Sequence, residues 1–178
     1  MRAQGRGLRA KGAVAALLLL IATVAGAETI DRVLAVVAGQ LIMLSDVNAV
    51  RDLGIVNVGP DSPDPTGEVL ASLIDRELML AEVDRYAPPE PDPADIDRDV
   101  AAVRARFATQ KAFDDVLVRS GFDATHVREL VRQNLRLKAY LDQRFANAGA
   151  DASRRQMLID DWVAGLRRRT PAVNLYKK

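Results

Sequence analysis

The search for chemistry begins with a single histidine, His126, in a chain of 178 residues that has no cysteine. One imidazole cannot make a metal site, and a catalytic histidine needs a nucleophile or a second ligand at a defined place. The sequence holds no G-x-S-x-G, no H-E-x-x-H, no phosphate-binding glycine loop and no dinucleotide fingerprint. Two carboxylate pairs, Asp114 with Asp115 and Asp160 with Asp161, fall inside predicted helices, where neighbouring side chains diverge by about 100° and do not share a site. These observations set the expectation of no catalytic residue, no metal and no cofactor, with His126 an exposed side chain in the first turn of a helix.

Two sets of residues could bind rather than react. Arg128, Arg132 and Arg136 recur every fourth residue on one helix face. They read either as an anion- or partner-binding stripe or as a solvated face paired with Asp92, Asp95 and Asp99 of an earlier helix, and exposed pairs of that kind are worth only tenths of a kcal/mol. The triplet of Arg167, Arg168 and Arg169 lies at a helix C-terminus, where positive charge complements the macrodipole. Met43, Met79, Phe107, Phe113, Phe122 and Met157 are core residues by default. Gathered along one groove they would make an adaptable surface for apolar segments, because methionine repacks readily.

The elements that must position these residues follow from periodicity and punctuation. Residues 30–38, I-D-R-V-L-A-V-V-A, read as a strand buried on both faces, followed by a turn at Gly39 and Gln40 and a short return strand over 41–44. Ser45 is placed to cap a short helix over 46–53 that stops at Gly54. The proline-rich residues 57–65 form a linker, and Asp64 before Pro65 opens a helix to about Arg85 with Val69, Leu70, Leu73, Ile74, Leu78 and Ala81 on its apolar face. A second proline linker ends at Asp92 and Pro93, the start of a helix to about Phe107. Short and long helices follow over 110–119 and 123–145, the long one stapled at its start by Phe122 and Val127. A last helix over 152–168 carries Met157, Leu158, Trp162, Val163 and Leu166, and residues 172–176 read as a strand that returns to the first one, since an isolated hairpin is marginal. The fold class is therefore mainly α with a small β-sheet, about six helices, and N- and C-terminal strands brought together.

Composition bounds the function. Aromatics are 4% of the chain, so the core is aliphatic. Arg2, Arg6, Arg9 and Lys11 precede an apolar run over 12–24 and then Ala25, Gly26 and Ala27, the pattern of a secretory signal peptide cleaved after Ala27. That run is shorter than a membrane span requires, and no stable span is expected after cleavage. The whole chain has 25 basic and 24 acidic residues; residues 1–27 hold four of the basic ones and no acid, leaving 21 against 24, a net of −3. That balance argues against a general nucleic-acid binder. An exported chain without cysteine needs no oxidative folding.

The order of segments carries a resemblance. A signal peptide precedes I-D-R-V-L-A-V-V-A-G-Q-L-I-M-L-S-D-V. Next come E-V-L-A-S-L-I-D-R-E-L-M-L-A-E, a proline-linked helical arm, and F-D-A-T-H-V-R-E-L-V-R-Q-N-L-R-L-K-A-Y-L-D-Q-R-F. Together they resemble the N-terminal, client-binding domain of SurA-type periplasmic chaperones, in the wider SurA and trigger-factor peptide-binding superfamily. The closing stretch over 162–176 is similar to the segment that completes that domain. The resemblance implies a core of residues 28–86 with 152–178 and a helical arm of residues 92–146. It also implies an ATP-independent periplasmic chaperone or escort for unfolded envelope and outer-membrane proteins, with a groove between arm and core. Family members usually carry parvulin-type prolyl isomerase domains between the long helix and the last one. Here only residues 146–151 intervene, so the isomerase activity is expected to be absent. The alternative is a non-catalytic adaptor or structural subunit for one folded envelope partner. Oligomeric state is left open.

Overall fold

Alternation of inward and outward side chains sets the register of the N-terminal hairpin. In the computed structural model, which describes residues 31–177, strand β1 (Val33–Val37) pairs antiparallel with β2 (Gln40–Met43). The two-residue turn between them is Ala38 and Gly39, with φ of 49° and 86°. Both are left-handed, the geometry that matches the twist of paired strands. The turn therefore lies one residue before the expected Gly39 and Gln40. Moving it forward would slip the register by one residue and rotate Ile42, buried opposite Ala35, out to solvent. The signal-peptide reading, over residues 1–27, lies outside the described residues.

Helix α1 (Leu44–Asp52) starts one residue before Ser45, so Ser45 is not its cap. The Asp31 carboxylate does that work from the strand side, accepting the Ser45 backbone N–H at 3.2 Å and its hydroxyl. Asp46, in the first turn, reaches back to accept the Met43 N–H at 2.7 Å. Helix α2 (Pro65–Tyr86) opens as its sequence indicates, the Asp64 carboxylate accepting the Gly67 N–H at 3.0 Å. Helix α3 (Pro93–Arg104) is capped by Asp92 but stops short of Phe107. The chain turns there so that the Phe107 ring meets Phe113 edge-on at 5.4 Å, and Arg106 donates to the Gly54 carbonyl at 2.6 Å. Helices α4 (Gln110–Ser120) and α5 (Ala124–Arg144) follow, α5 capped by Asp123, and then a short 3-10 turn (Ala146–Ala148).

Helix α6 (Ala152–Arg169) buries Trp162, Val163 and Leu166 with Ile159 half-buried, one stripe at helical spacing. Met157 and Leu158, expected on its apolar side, are exposed because they precede that stripe by two and one residues. Strand β3 (Ala172–Asn174) returns to β1, Val173 opposite Val36, and completes a sheet of order β2-β1-β3. The architecture is mainly helical with one small antiparallel sheet that joins the two ends of the described chain.

Two apolar clusters hold these elements. The first packs the inner face of the sheet on α2, α6 and part of α5. The second, the arm cluster, gathers Leu53 from the end of α1 with Ile96, Val103, Phe113, Val116, Leu117, Val127 and Val131 from α3, α4 and α5. Helix α5 serves both: Leu130 and Tyr140 sit in the first cluster, Val127 and Val131 in the second. Leu53, fully buried at the end of α1, is the core-side residue that enters the arm cluster. Leu53→Ala is expected to lower stability by about 2–5 kcal/mol, the usual cost of such a truncation in a packed interior. Urea unfolding followed by Trp162 fluorescence reads it.

Candidate functional site

Strand β2 and helices α1, α2 and α5 meet at the open edge of β2 and leave a cleft of about 330 Å3. Strand β2 supplies Leu41 and Ile42, α2 supplies Leu73 and Leu80, and α5 with its approach supplies Leu130 and Phe122. Among these apolar walls stand Asp46, Arg76, Glu77, Asp84, Gln133 and Arg136. The cleft thus lies between the β2 edge, α1 and α2 on one side and the long helix α5 on the other. A second hollow, about 390 Å3, lies between α3 and α5 around Val103, Val131 and Leu135.

The polar wall is built on α2. Arg76 and Glu77 follow Leu73 by three and four residues and precede Leu80, so they occupy the buried side of a helix that is otherwise apolar there. Arg76 donates to Glu77 at 2.8 Å, to Gln133 Oε1 at 2.8 Å and to Asn134 Oδ1 at 3.1 Å, which ties α2 to α5. Burial holds the Arg76 guanidinium below its ordinary pKa, although Glu77 works the other way. Burial likewise raises the Glu77 carboxyl, against the attraction of Arg76 and with the added repulsion of Asp46 and Asp84. Both partners shift toward neutrality even at contact distance, so loss of solvent outweighs their pairing. Asp46 is also raised, first by burial, with its bond from Met43 opposing, Asp31 adding to the rise and His126 opposing it.

Arg136 is the second cation of the cleft and is nine-tenths buried. Its Nη1 donates to Asp84 at 2.8 Å. Its Nε is buried without a hydrogen-bond acceptor; the nearest Glu90 carboxylate oxygen, 3.5 Å away, offers charge but no bond. The other two arginines of the stripe are engaged outside the cleft, Arg128 with Asp97, and Arg132 with Glu129 at 2.8 Å and Glu90 at 2.6 Å. Those bonds raise the Arg132 pKa, Glu129 contributing most. The expected partners Asp92, Asp95 and Asp99 are not used. Asp92 accepts from the Ala94 N–H at 2.8 Å as a cap, while Asp95 and Asp99 bind Arg98 of their own helix at 2.5 and 3.3 Å.

The six apolar candidates do not share a groove. Phe113 is 2% exposed in the arm cluster, with Phe107 against it. Met79 packs on the first cluster, and Met43 is the half-buried cap of α1. Met157 is 58% exposed on α6. Of the six only Phe122 lines the cleft, its ring 5.1 Å from His126. His126 itself is exposed and bonded to Asp123 at 2.8 Å. Arg167, beyond its place at a helix end, binds Asp75 through two bonds of 2.6 and 2.5 Å, pinning α6 to α2. Among the described residues no cluster of histidine, aspartate and glutamate is arranged to hold a metal ion, and no helix is long and apolar enough to cross a membrane.

Sequence reasoning missed Asp46, Arg76 and Glu77 as site residues, although a charged pair set into the apolar stripe of α2 is a visible signal. It also missed Leu41, which is 57% exposed at the cleft mouth. Leu41 stands opposite Val36, one rung beyond the Val37–Gln40 pair that flanks the turn. Its backbone N–H and C=O accordingly face away from β1, toward the open side of β2. Met43, two residues on, faces the same way, and its N–H is taken by Asp46. No family model matches this chain, and no curated protein matches its sequence.

The Asp46 shift has a measurable consequence. A carboxyl whose folded pKa lies above its unfolded value of 3.8 favours the native state fully below 3.8 and loses that contribution as pH rises through the folded value. Asp46→Asn keeps an acceptor for Met43 and removes the titration. The wild type is therefore expected to gain stability relative to Asp46→Asn as pH falls from neutral toward 3.8. Paired urea titrations at several pH values check it, and a difference that is flat or of opposite slope contradicts the burial argument.

Proposed function

We propose that the protein is an ATP-independent chaperone or escort, exported to the periplasm by a signal peptide cleaved after Ala27, that binds unfolded segments of envelope and outer-membrane proteins. The observation that carries this reading is the cleft where the open edge of β2 meets α2 and α5, with exposed Leu41 at its mouth. An open strand position beside an apolar hollow suits an extended chain: the backbone can pair at Leu41 while a side chain enters the hollow. The resemblance to the SurA-type client-binding domain supports the same reading, as does the position of the cleft between α2 and α5. Only residues 145–151 separate α5 from α6, which leaves no room for a parvulin domain between them. On this reading the activity is binding without prolyl isomerisation.

A second reading rests on a different surface. Val173 and Leu175 are exposed at the β3 side of the sheet, Val173 opposite Val36. An apolar row of this kind suits a folded partner, as an adaptor subunit would need. It predicts one stoichiometric complex and no general protection of unfolded chains.

Light scattering separates the two. The protein is mixed with an outer-membrane barrel protein diluted from denaturant, with an unrelated aggregating enzyme as control. Delayed aggregation of the barrel at near-equal concentration, little changed between low and moderate salt, is the expected result, because apolar contact is not screened. Protection lost at moderate salt would shift the binding surface to the arginine stripe, and protection of neither substrate would favour the adaptor. The mature protein is expected to begin at Glu28, which its intact mass reports.

A further inference from the structure

The polar groups on the flanks of helix α6 are used within the chain. Arg155 donates to Asp142 at 2.6 Å, Gln156 to Asp160 at 2.8 Å, and Arg167 binds Asp75. The outward face is different. On the side of the helix away from Ile159, Trp162, Val163 and Leu166, the residues Arg154, Met157, Leu158 and Asp161 stand at i, i+3, i+4 and i+7, one continuous stripe. Met157 is 58% exposed and Leu158 37%. Arg154 and Asp161 are exposed too, and neither side chain has a hydrogen-bond or ion-pair partner among the described residues. The face therefore reads cation, two apolar side chains, anion. That order is complementary to its own reverse. When two such helices lie antiparallel about a two-fold axis passing between Met157 and Leu158, Arg154 of each copy faces Asp161 of the other, and Met157 faces Leu158. A partner surface of one charge sign answers only one end of the stripe, whereas a second copy answers both.

We propose that the α6 face of Arg154, Met157, Leu158 and Asp161 docks a second copy of this chain, the two helices antiparallel about a two-fold axis. Such a contact is isologous, so each pairing occurs twice and the assembly closes at two copies. The apolar side chains supply the attraction, and the charge pairs set the register, because sliding either helix by a turn separates both pairs. From Arg154 to Asp161 the helix rises only about 10 Å. A contact of that length is at the small end of interface sizes, so the dimer is weak and exchanges readily. Helix α6 contributes no residue to the β2 cleft, and the inference stands apart from the function proposed above.

The test uses the purified full chain, with whatever N-terminus its cell leaves on it, in sedimentation equilibrium from about 10 μM to about 1 mM, the range of weak affinities. The average mass of the wild type is expected to rise with concentration. Arg154→Glu alone sets two acids face to face at both ends of the contact, and Asp161→Arg alone does the same with two bases. Each is expected to weaken self-association at least about tenfold. An equal mixture of the two variants restores both charge pairs in the mixed dimer and is expected to associate nearly as strongly as the wild type. Both positions are exposed, and near-UV circular dichroism from Trp162 verifies that the variants are folded. The chain has no cysteine, so a single introduced thiol reports on the axis directly. Leu158→Cys is expected to give a disulfide-linked dimer on mild oxidation much faster than Val118→Cys, at the exposed site on α4. A wild type that stays monomeric throughout, single charge reversals that associate as the wild type does, a mixture that stays monomeric, or cross-linking no faster at 158 than at 118 would overturn the proposal.

Discussion

Helix α5 has to satisfy two apolar clusters at once, and the rest of the molecule is arranged around that requirement. Its Val127 and Val131 close the arm cluster, while Leu130 and Tyr140 close the cluster under the sheet. Adjacent rows on one helix therefore fix the two clusters against each other. The Arg76 guanidinium locks the same junction through Gln133 and Asn134. Buried polar contacts of this kind add little net stability, because desolvation offsets them, but they tolerate few alternative alignments. The same contacts hold α5 beside α2, and both helices line the cleft at β2.

The sheet supplies the other half of the site by remaining small. Its central strand β1 is bonded on both sides, by β2 from the hairpin and by β3 from the far end of the chain. The cost is two edges. Asp46 takes the Met43 N–H on the β2 edge, and Asn174 takes the Tyr176 N–H beyond β3 at 2.9 Å. Such side-chain caps blunt edges against uncontrolled pairing. Leu41 lies between the turn and the Asp46 cap, with its backbone groups facing outward, and that is where the cleft opens. An edge open over a single residue is poorly suited to building a continuous sheet.

Much of the fold was legible in the sequence because its punctuation is strong. Asp64 with Pro65 and Asp92 with Pro93 mark helix starts, and both caps are made as those pairs imply. The return of β3 to β1 followed from the marginal stability of a lone hairpin. The misplaced turn and cap had a shared cause: sequence could not show that Asp31 would reach Ser45, or that burying Ile42 would set the register. The candidate site was less legible. Its apolar candidates were chosen by residue type, and type does not tell Phe113, sealed in the arm cluster, from Phe122, at the cleft wall. Its arginine stripe was found by spacing, but spacing does not tell an exposed arginine from Arg136, nine-tenths buried beside Asp84. That difference arises only when α2 and α5 pack.

The most direct measurement of the central claim, that the β2 edge and its cleft receive an extended chain, is backbone hydrogen exchange with and without an outer-membrane barrel protein held unfolded. The account predicts added protection at the Leu41 amide and in the facing turns of α2 and α5 around Leu80 and Gln133, with exchange at exposed Val118 on α4 unchanged. Protection confined to Val173 and Leu175 at the β3 side of the sheet, or spread evenly over the helices, would contradict it.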